Sequence, residues 1–269
     1  MTTNKHGLSR TIPSDIRRMV RQRCGFGCVL CGNAVIQYEH VDPPFADAIT
    51  HDPDRIALLC GGCHDRVTRG LVSKNTVLKH LASPKSLEDG FSREAFDITE
   101  SNRTVKFCGT EFINVRTIIA MMGREILSIH SPECAGAPMR ISGLFCDSQG
   151  SEILRIVNNE WFSSASNWDV EVQGRKIVVR RAPNDIALVL RAEPPHTISI
   201  EKIAMYYEGA RIVGREGSEI DAVAPSGARI SYTIKRVDGL RAGIVVESEQ
   251  VILGSNKNFT DITALGGAN

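Results

Sequence analysis

The chain has 269 residues, 42% of them hydrophobic, with 32 Lys and Arg against 31 Asp and Glu for a net charge of +1. That length and apolar content exceed the needs of one small domain, so two domains are expected. Near-neutrality excludes a basic coat over the whole surface, and no apolar run approaches the ~20 residues that span a bilayer. Residues Met1 to Gly7 lack the apolar stretch of a signal peptide, so a cytoplasmic protein without membrane contact is expected.

The first predicted element is a helix, with Ile16, Met19, Val20 and Arg23 on one face and Arg17, Arg18 and Arg21 on the other. Pro13 stands near its start with Ser14 or Asp15 as cap, and Gly25 and Gly27 end the pattern. The three arginines read as a solvated face or as a place for a phosphate backbone. Two tight cysteine pairs follow, Cys28-x2-Cys31 and Cys60-x2-Cys63, the second running directly into His64. Two intervening residues let both thiolates of a pair reach one tetrahedral ion, and two such pairs supply the four sulfurs of a closed structural zinc site. Cys24 is then spare. The 28 residues between Cys31 and Cys60 suffice for a hairpin or loop that carries chemistry. They include Tyr38-Glu39-His40-Val41-Asp42-Pro43. Successive strand residues face opposite ways, so Glu39 and His40 can share a site only where the strand ends or bends, and Pro43-Pro44 makes an ending reasonable. Ser73, Val77, Leu78 and Leu81 mark a second short helix.

The cysteine pairs, the Glu39-His40 pair and the Cys63-His64 ending together resemble the HNH endonuclease family over about residues 12 to 80. The resemblance implies a ββα-metal finger whose hairpin presents a general base and whose helix presents a metal ligand. Position by position, it makes His40 the base that activates water and makes Glu39 and His64 the ligands of a catalytic Mg²⁺ or Mn²⁺. It assigns structural Zn²⁺ to Cys28, Cys31, Cys60 and Cys63. The chemistry is consistent: phosphodiester hydrolysis needs a neutral imidazole to deprotonate water and a hard cation to stabilise the leaving oxyanion. The implied partner is nucleic acid, with DNA expected.

One letter departs from the family pattern. Five residues before Cys60, where Asn is usual, stands Arg55. Arginine neither accepts a hydrogen bond nor ligates a cation. Three readings stay open: Arg55 grips the scissile phosphate, Asp54 takes the orienting role, or the finger binds nucleic acid without cutting it. His51 reads either as an accessory phosphate or metal contact or as a loop histidine capping a turn. Residues 1–85 carry 12 Lys and Arg against 7 Asp and Glu, so the excess of positive charge lies with the motif.

Beyond this region, residues 84–101 have linker composition, opening on Ser83-Pro84-Lys85-Ser86 and continuing polar, with Ser, Glu and Asp, to about Ser101. From residue 102, short alternating apolar runs separated by turn signals at roughly ten-residue intervals predict an antiparallel all-β domain over 102–253. A sandwich is expected, with a β-solenoid as the alternative because residues 109–115 read as a solenoid coil. Trp161 and Trp168 flank a Ser-rich loop and read as a ligand site or as packing at a sheet edge. Cys108, Cys134 and Cys146 lack ligand spacing. The tail over 254–269 is expected to be mobile. The fold class is thus α+β, a zinc finger of residues 1–83 followed by a β domain for recognition or regulation whose partner the sequence leaves unknown.

Overall fold

The computed structural model describes residues 3–99 and 104–261. The chain is mostly strand with few helices, and it divides into two units: Met1–Glu94 with Phe162–Val172, and Ala95–Trp161 with Gln173–Asn269. Among the described residues no helix is long and apolar enough to cross a membrane.

In the first unit, helix α1 spans Ser14–Arg23. Pro13 occupies the N-cap with no side-chain hydrogen bond, so neither Ser14 nor Asp15 caps it. Val20 is fully buried, whereas Met19, read as part of the apolar face, is half exposed. Strands β1 (Ile36–His40) and β2 (Ile56–Cys60) pair antiparallel, in a register that sets Glu39 opposite Ala57 and His40 opposite Ile56. Helix α2 (Gly61–Thr68) begins directly after β2, with Cys60 as N-cap, its sulfur accepting from the Cys63 amide at 3.4 Å. Helix α3 (Lys74–Ala82) is capped by Ser73, whose hydroxyl accepts from the Thr76 amide. Val20, Cys28, Val29, Ile56, Leu58, Leu59, Val67 and Val77 form one buried cluster that holds these elements together.

Two expectations for this unit are corrected. Arg21 does not lie on a solvated basic face. It is buried, and its Nε and Nη2 donate to the two carboxylate oxygens of Asp169 at 2.9 and 2.8 Å, while Nη1 donates to the Tyr38 hydroxyl at 2.9 Å. Arg18 stacks on the Trp168 ring at 5.1 Å. Residues 162–172 therefore belong with α1 and are not part of a contiguous β domain over 102–253. Neither the Trp168 stack nor the Arg21–Asp169 pair is visible locally, because the partners are about 150 positions apart.

The segment read as a linker is also structured. It forms helix α4 (Lys85–Asp89) and a strand over Phe91–Ala95. The Lys85 amide donates to Val29 O, Arg93 N to Gly32 O and Ala34 N to Arg93 O, all within 3.1 Å. The stretch is polar in composition, yet its part before Glu94 is ordered by main-chain bonds to the first cysteine loop, which composition does not register. Gly27 marks the closest approach: a Cβ there would overlap Ser86 Oγ and stand 2.8 Å from Gly32 O. Residues 100 and 101 lie outside the described residues.

In the second unit the strands from Lys176 to Tyr232 run as an antiparallel meander, each paired with the next. The purely antiparallel expectation fails elsewhere. Ala242–Val246 pairs parallel with Thr117–Met121, Arg236–Asp238 with Glu111–Ile113, and Thr260–Asp261 with Arg124–Glu125. Alternation marks a strand but carries no information on a neighbour more than a hundred residues away. The stretch 109–115 is no solenoid coil: Thr104–Phe107 and Thr110–Ile113 form a hairpin whose turn residues, Cys108 and Gly109, both have positive φ, as a type I′ turn requires. Phe107, Phe112, Ile118, Leu127 and Phe145 fill the interior. Trp161 is buried and stacked with Phe96 at 6.3 Å. The tail is not wholly loose either, since Val251–Ser255 is a strand and Thr260–Asp261 pairs with the sheet; residues 262–269 lie outside the described residues.

Candidate active site

The four cysteine sulfurs of the two pairs lie within 4.8 Å of one another. Cys31 Sγ stands 3.6 Å from Cys60 Sγ and 3.8 Å from Cys63 Sγ. Four thiolates at 2.3 Å from a zinc ion are separated by about 3.8 Å along each tetrahedral edge, so the donor set fits that ion. Burial, and then the Cys60 sulfur, pushes the Cys63 thiol up to about 12; hydrogen bonding to Cys28, and then burial, holds Cys31 well above the usual thiol range. A divalent cation is what lowers such thiols, since the thiolate is the ligand. Cys24 is buried outside this cluster.

Beside it, an open cleft of about 420 Å³ is lined by Arg10, Tyr38, Glu39, His40, Phe45 and His64, with Ile12, Gln37 and Thr68. Each side chain arrives by an identifiable route. Strand β1 ends at His40, so Glu39 and His40 both reach the cleft, and α2 brings His64 up to the same strand. His64 Nε2 lies 3.2 Å from Glu39 Oε2. Two ligands in neighbouring positions on an octahedral ion with 2.1 Å bonds stand about 3.0 Å apart, so this pair of donors fits such a cation. The other carboxylate oxygen, Oε1, is 3.1 Å from Lys74 Nζ, which also donates to His40 O at 2.9 Å.

His40 is buried, with Nε2 3.1 Å from His51 Nδ1 and its ring edge-on to Phe45 at 5.3 Å between centroids. Burial, and then the neighbouring His51, lowers its pKa in spite of Glu39, so the imidazole is neutral at neutral pH. His51 is buried as well, and its Nε2 has no hydrogen-bond partner. His51 is thus a direct neighbour of His40 rather than a turn cap.

Arg55 is placed differently from Glu39 and His40. Its guanidinium is 3.6 Å from Asp42, with both side chains more than half exposed, and it is not among the residues lining the cleft. Asp54 is exposed, 3.8 Å from Arg23, and does not line the cleft either. The short turn Pro53–Arg55 that carries them is held by Arg23, which donates to Pro53 O and Ile56 O at 2.5 and 2.6 Å. The arginine that does line the cleft is Arg10, stacked on Phe45 at 5.0 Å. Asn4 donates to Phe45 O and Ala48 O, which ties the N-terminal segment to the insert. Arg10 and Lys74 have no motif spacing that would mark them in the sequence.

No family model, no curated protein and no solved structure matches this chain.

Proposed function

We propose that the first unit is a zinc-clamped endonuclease module of the HNH type, which hydrolyses phosphodiester bonds in DNA with a divalent cation. The observation that carries this reading is the convergence of Glu39, His40 and His64 on one open cleft beside four sulfurs at tetrahedral spacing. A cation held by Glu39 and His64 would supply Lewis-acid stabilisation of the leaving oxygen. His40 takes the proton from water. Its Nε2 is engaged by His51, so Nδ1 is the nitrogen left for that proton. This requires Nε2–H to donate to His51 Nδ1. His51 Nε2–H is then a buried donor without an acceptor, which costs about 1–3 kcal/mol, and such polar strain is characteristic of sites kept for function. Arg10 offers a guanidinium to the phosphate oxygens. Arg55 is not needed for the chemistry.

One observation favours a second reading, in which the unit grips nucleic acid without cutting. Lys74 Nζ sits on Glu39 Oε1, placing a positive charge at the carboxylate that catalysis needs for its cation. Incubation of supercoiled plasmid with the full chain in Mg²⁺ or Mn²⁺ separates the two. Nicking that disappears in His40→Ala and His64→Ala, with zinc content unchanged, supports the nuclease. Salt-sensitive binding with the plasmid left intact in both metals supports the second reading.

A further inference from the structure

A different group of ligating side chains lies in the second unit. Glu125, on the strand Arg124–His130, is 2% exposed. Its Oε1 accepts from Thr117 Oγ1 at 2.8 Å and from Arg116 Nε at 3.2 Å. Its Oε2 is buried and accepts no hydrogen bond. That oxygen lies 3.9 Å from His130 Nε2, and Asp261 Oδ2 is 3.5 Å from the same nitrogen. The three ligand atoms all fall within 4.8 Å of one another.

The backbone brings them together deliberately. On a regular strand Glu125 and His130 would face opposite ways, but the ladder to Thr117–Met121 shifts register twice, and a bulge re-aims the side chains that follow it. The parallel pairing of Thr260–Asp261 then sets Asp261 directly beside Glu125. Like charges at paired positions repel, and a buried carboxylate oxygen left unpaired carries a further desolvation cost. Arg116 reaches only Oε1 and is half exposed.

We propose that Glu125 Oε2, His130 Nε2 and Asp261 Oδ2 form a second divalent-metal site, suited to a first-row ion such as Mn²⁺. Two carboxylate oxygens with one imidazole and no sulfur are a donor set for Mn²⁺ or Zn²⁺ rather than for a soft ion. The separations of 3.5 and 3.9 Å exceed the about 3.0–3.4 Å between ligands on 2.1 Å bonds by about 0.1–0.9 Å, which side-chain rotations would have to close. Ser128 Oγ, 2.9 Å from His130 Nε2, releases that nitrogen by turning its hydroxyl. His130 also lines an open cleft of about 450 Å³ with Arg116 and Arg241, which gives an ion and its waters access. The ion would tie the strand Thr260–Asp261 to the sheet.

The test is titration of the zinc-loaded full chain with MnCl₂, followed by EPR, on wild type, Glu125→Gln, Asp261→Asn, His130→Gln and Glu39→Gln. One bound Mn²⁺ should be lost, or weakened at least tenfold, in each of the first three variants and retained in Glu39→Gln. The imidazole ¹⁴N coupling of that ion should vanish in His130→Gln. Asp261→Asn, at a partly exposed position, reads the site even if Glu125→Gln fails to fold. Wild-type Mn²⁺ binding in Glu125→Gln and Asp261→Asn, or a wild type whose only bound Mn²⁺ is the one removed by Glu39→Gln, overturns the proposal. Mn²⁺ binding unaltered by Glu39→Gln counts against the nuclease cation alone.

Discussion

The Arg21–Asp169 pair offers the sharpest test of how the first unit is assembled. Both side chains are almost fully buried, at 7% and 3% exposure, and they meet through two parallel hydrogen bonds. Removing one member of such a pair strands a buried charge and typically costs about 3–5 kcal/mol. Here Asp169→Leu leaves the guanidinium with the Tyr38 hydroxyl and with Glu171 at 3.6 Å, so the lower end, about 3 kcal/mol, is expected. That is roughly a 150-fold change in the unfolding equilibrium. With a urea m-value of about 2 kcal/mol/M it moves the midpoint down by about 1.5 M. Trp168 lies under Arg18 in the same unit, so its fluorescence in a Trp161→Phe background reports this transition. Replacing the pair together, as Arg21→Met with Asp169→Leu, should restore most of the loss and give a coupling of about 2 kcal/mol or more. A midpoint shift below about 0.3 M, or single effects that simply add, would refute the claim that this ion pair fastens residues 162–172 to α1. Tyr38 also lines the cleft, so the same variant should disturb the site.

Three further outcomes are expected. Stripping the metal with a strong chelator, or Cys63→Ser, should release one zinc per chain and abolish the Trp168 signal, because apparent zinc-binding energies of about 10–16 kcal/mol match or exceed the whole stability of an ordinary domain; a signal that survives chelation contradicts the clamp. Gly27→Ala should lower the unfolding free energy read by Trp168 by about 1–3 kcal/mol through overlap with Ser86 and Gly32 O, while Gly62→Ala, whose added Cβ meets nothing within 4 Å, should not. Lys74→Gln should lower the Mn²⁺ concentration for half-maximal cleavage about two- to five-fold, the worth of a partly exposed ion pair. An unchanged or higher requirement means that Lys74 does not compete for Glu39.

The sequence by itself determined the parts whose chemistry is local. The spacing of Cys28, Cys31, Cys60 and Cys63 announced a four-sulfur cluster, because two residues is the reach of a pair of thiolates around one ion. The helices starting near Ser14 and Ser73 and the strand-rich character of the chain beyond residue 102 were legible from periodicity. Only the tertiary structure decided what depends on distant partners. It turned Arg21 from a surface charge into a buried anchor for Asp169, gave the polar stretch after Pro84 main-chain partners in the first cysteine loop, and brought Arg10 to the cleft and Lys74 to the Glu39 carboxylate while leaving Arg55 outside the cleft. It also set Asp261 beside Glu125. Periodicity and spacing report only on near neighbours, whereas these contacts join segments that meet once the chain has closed on itself.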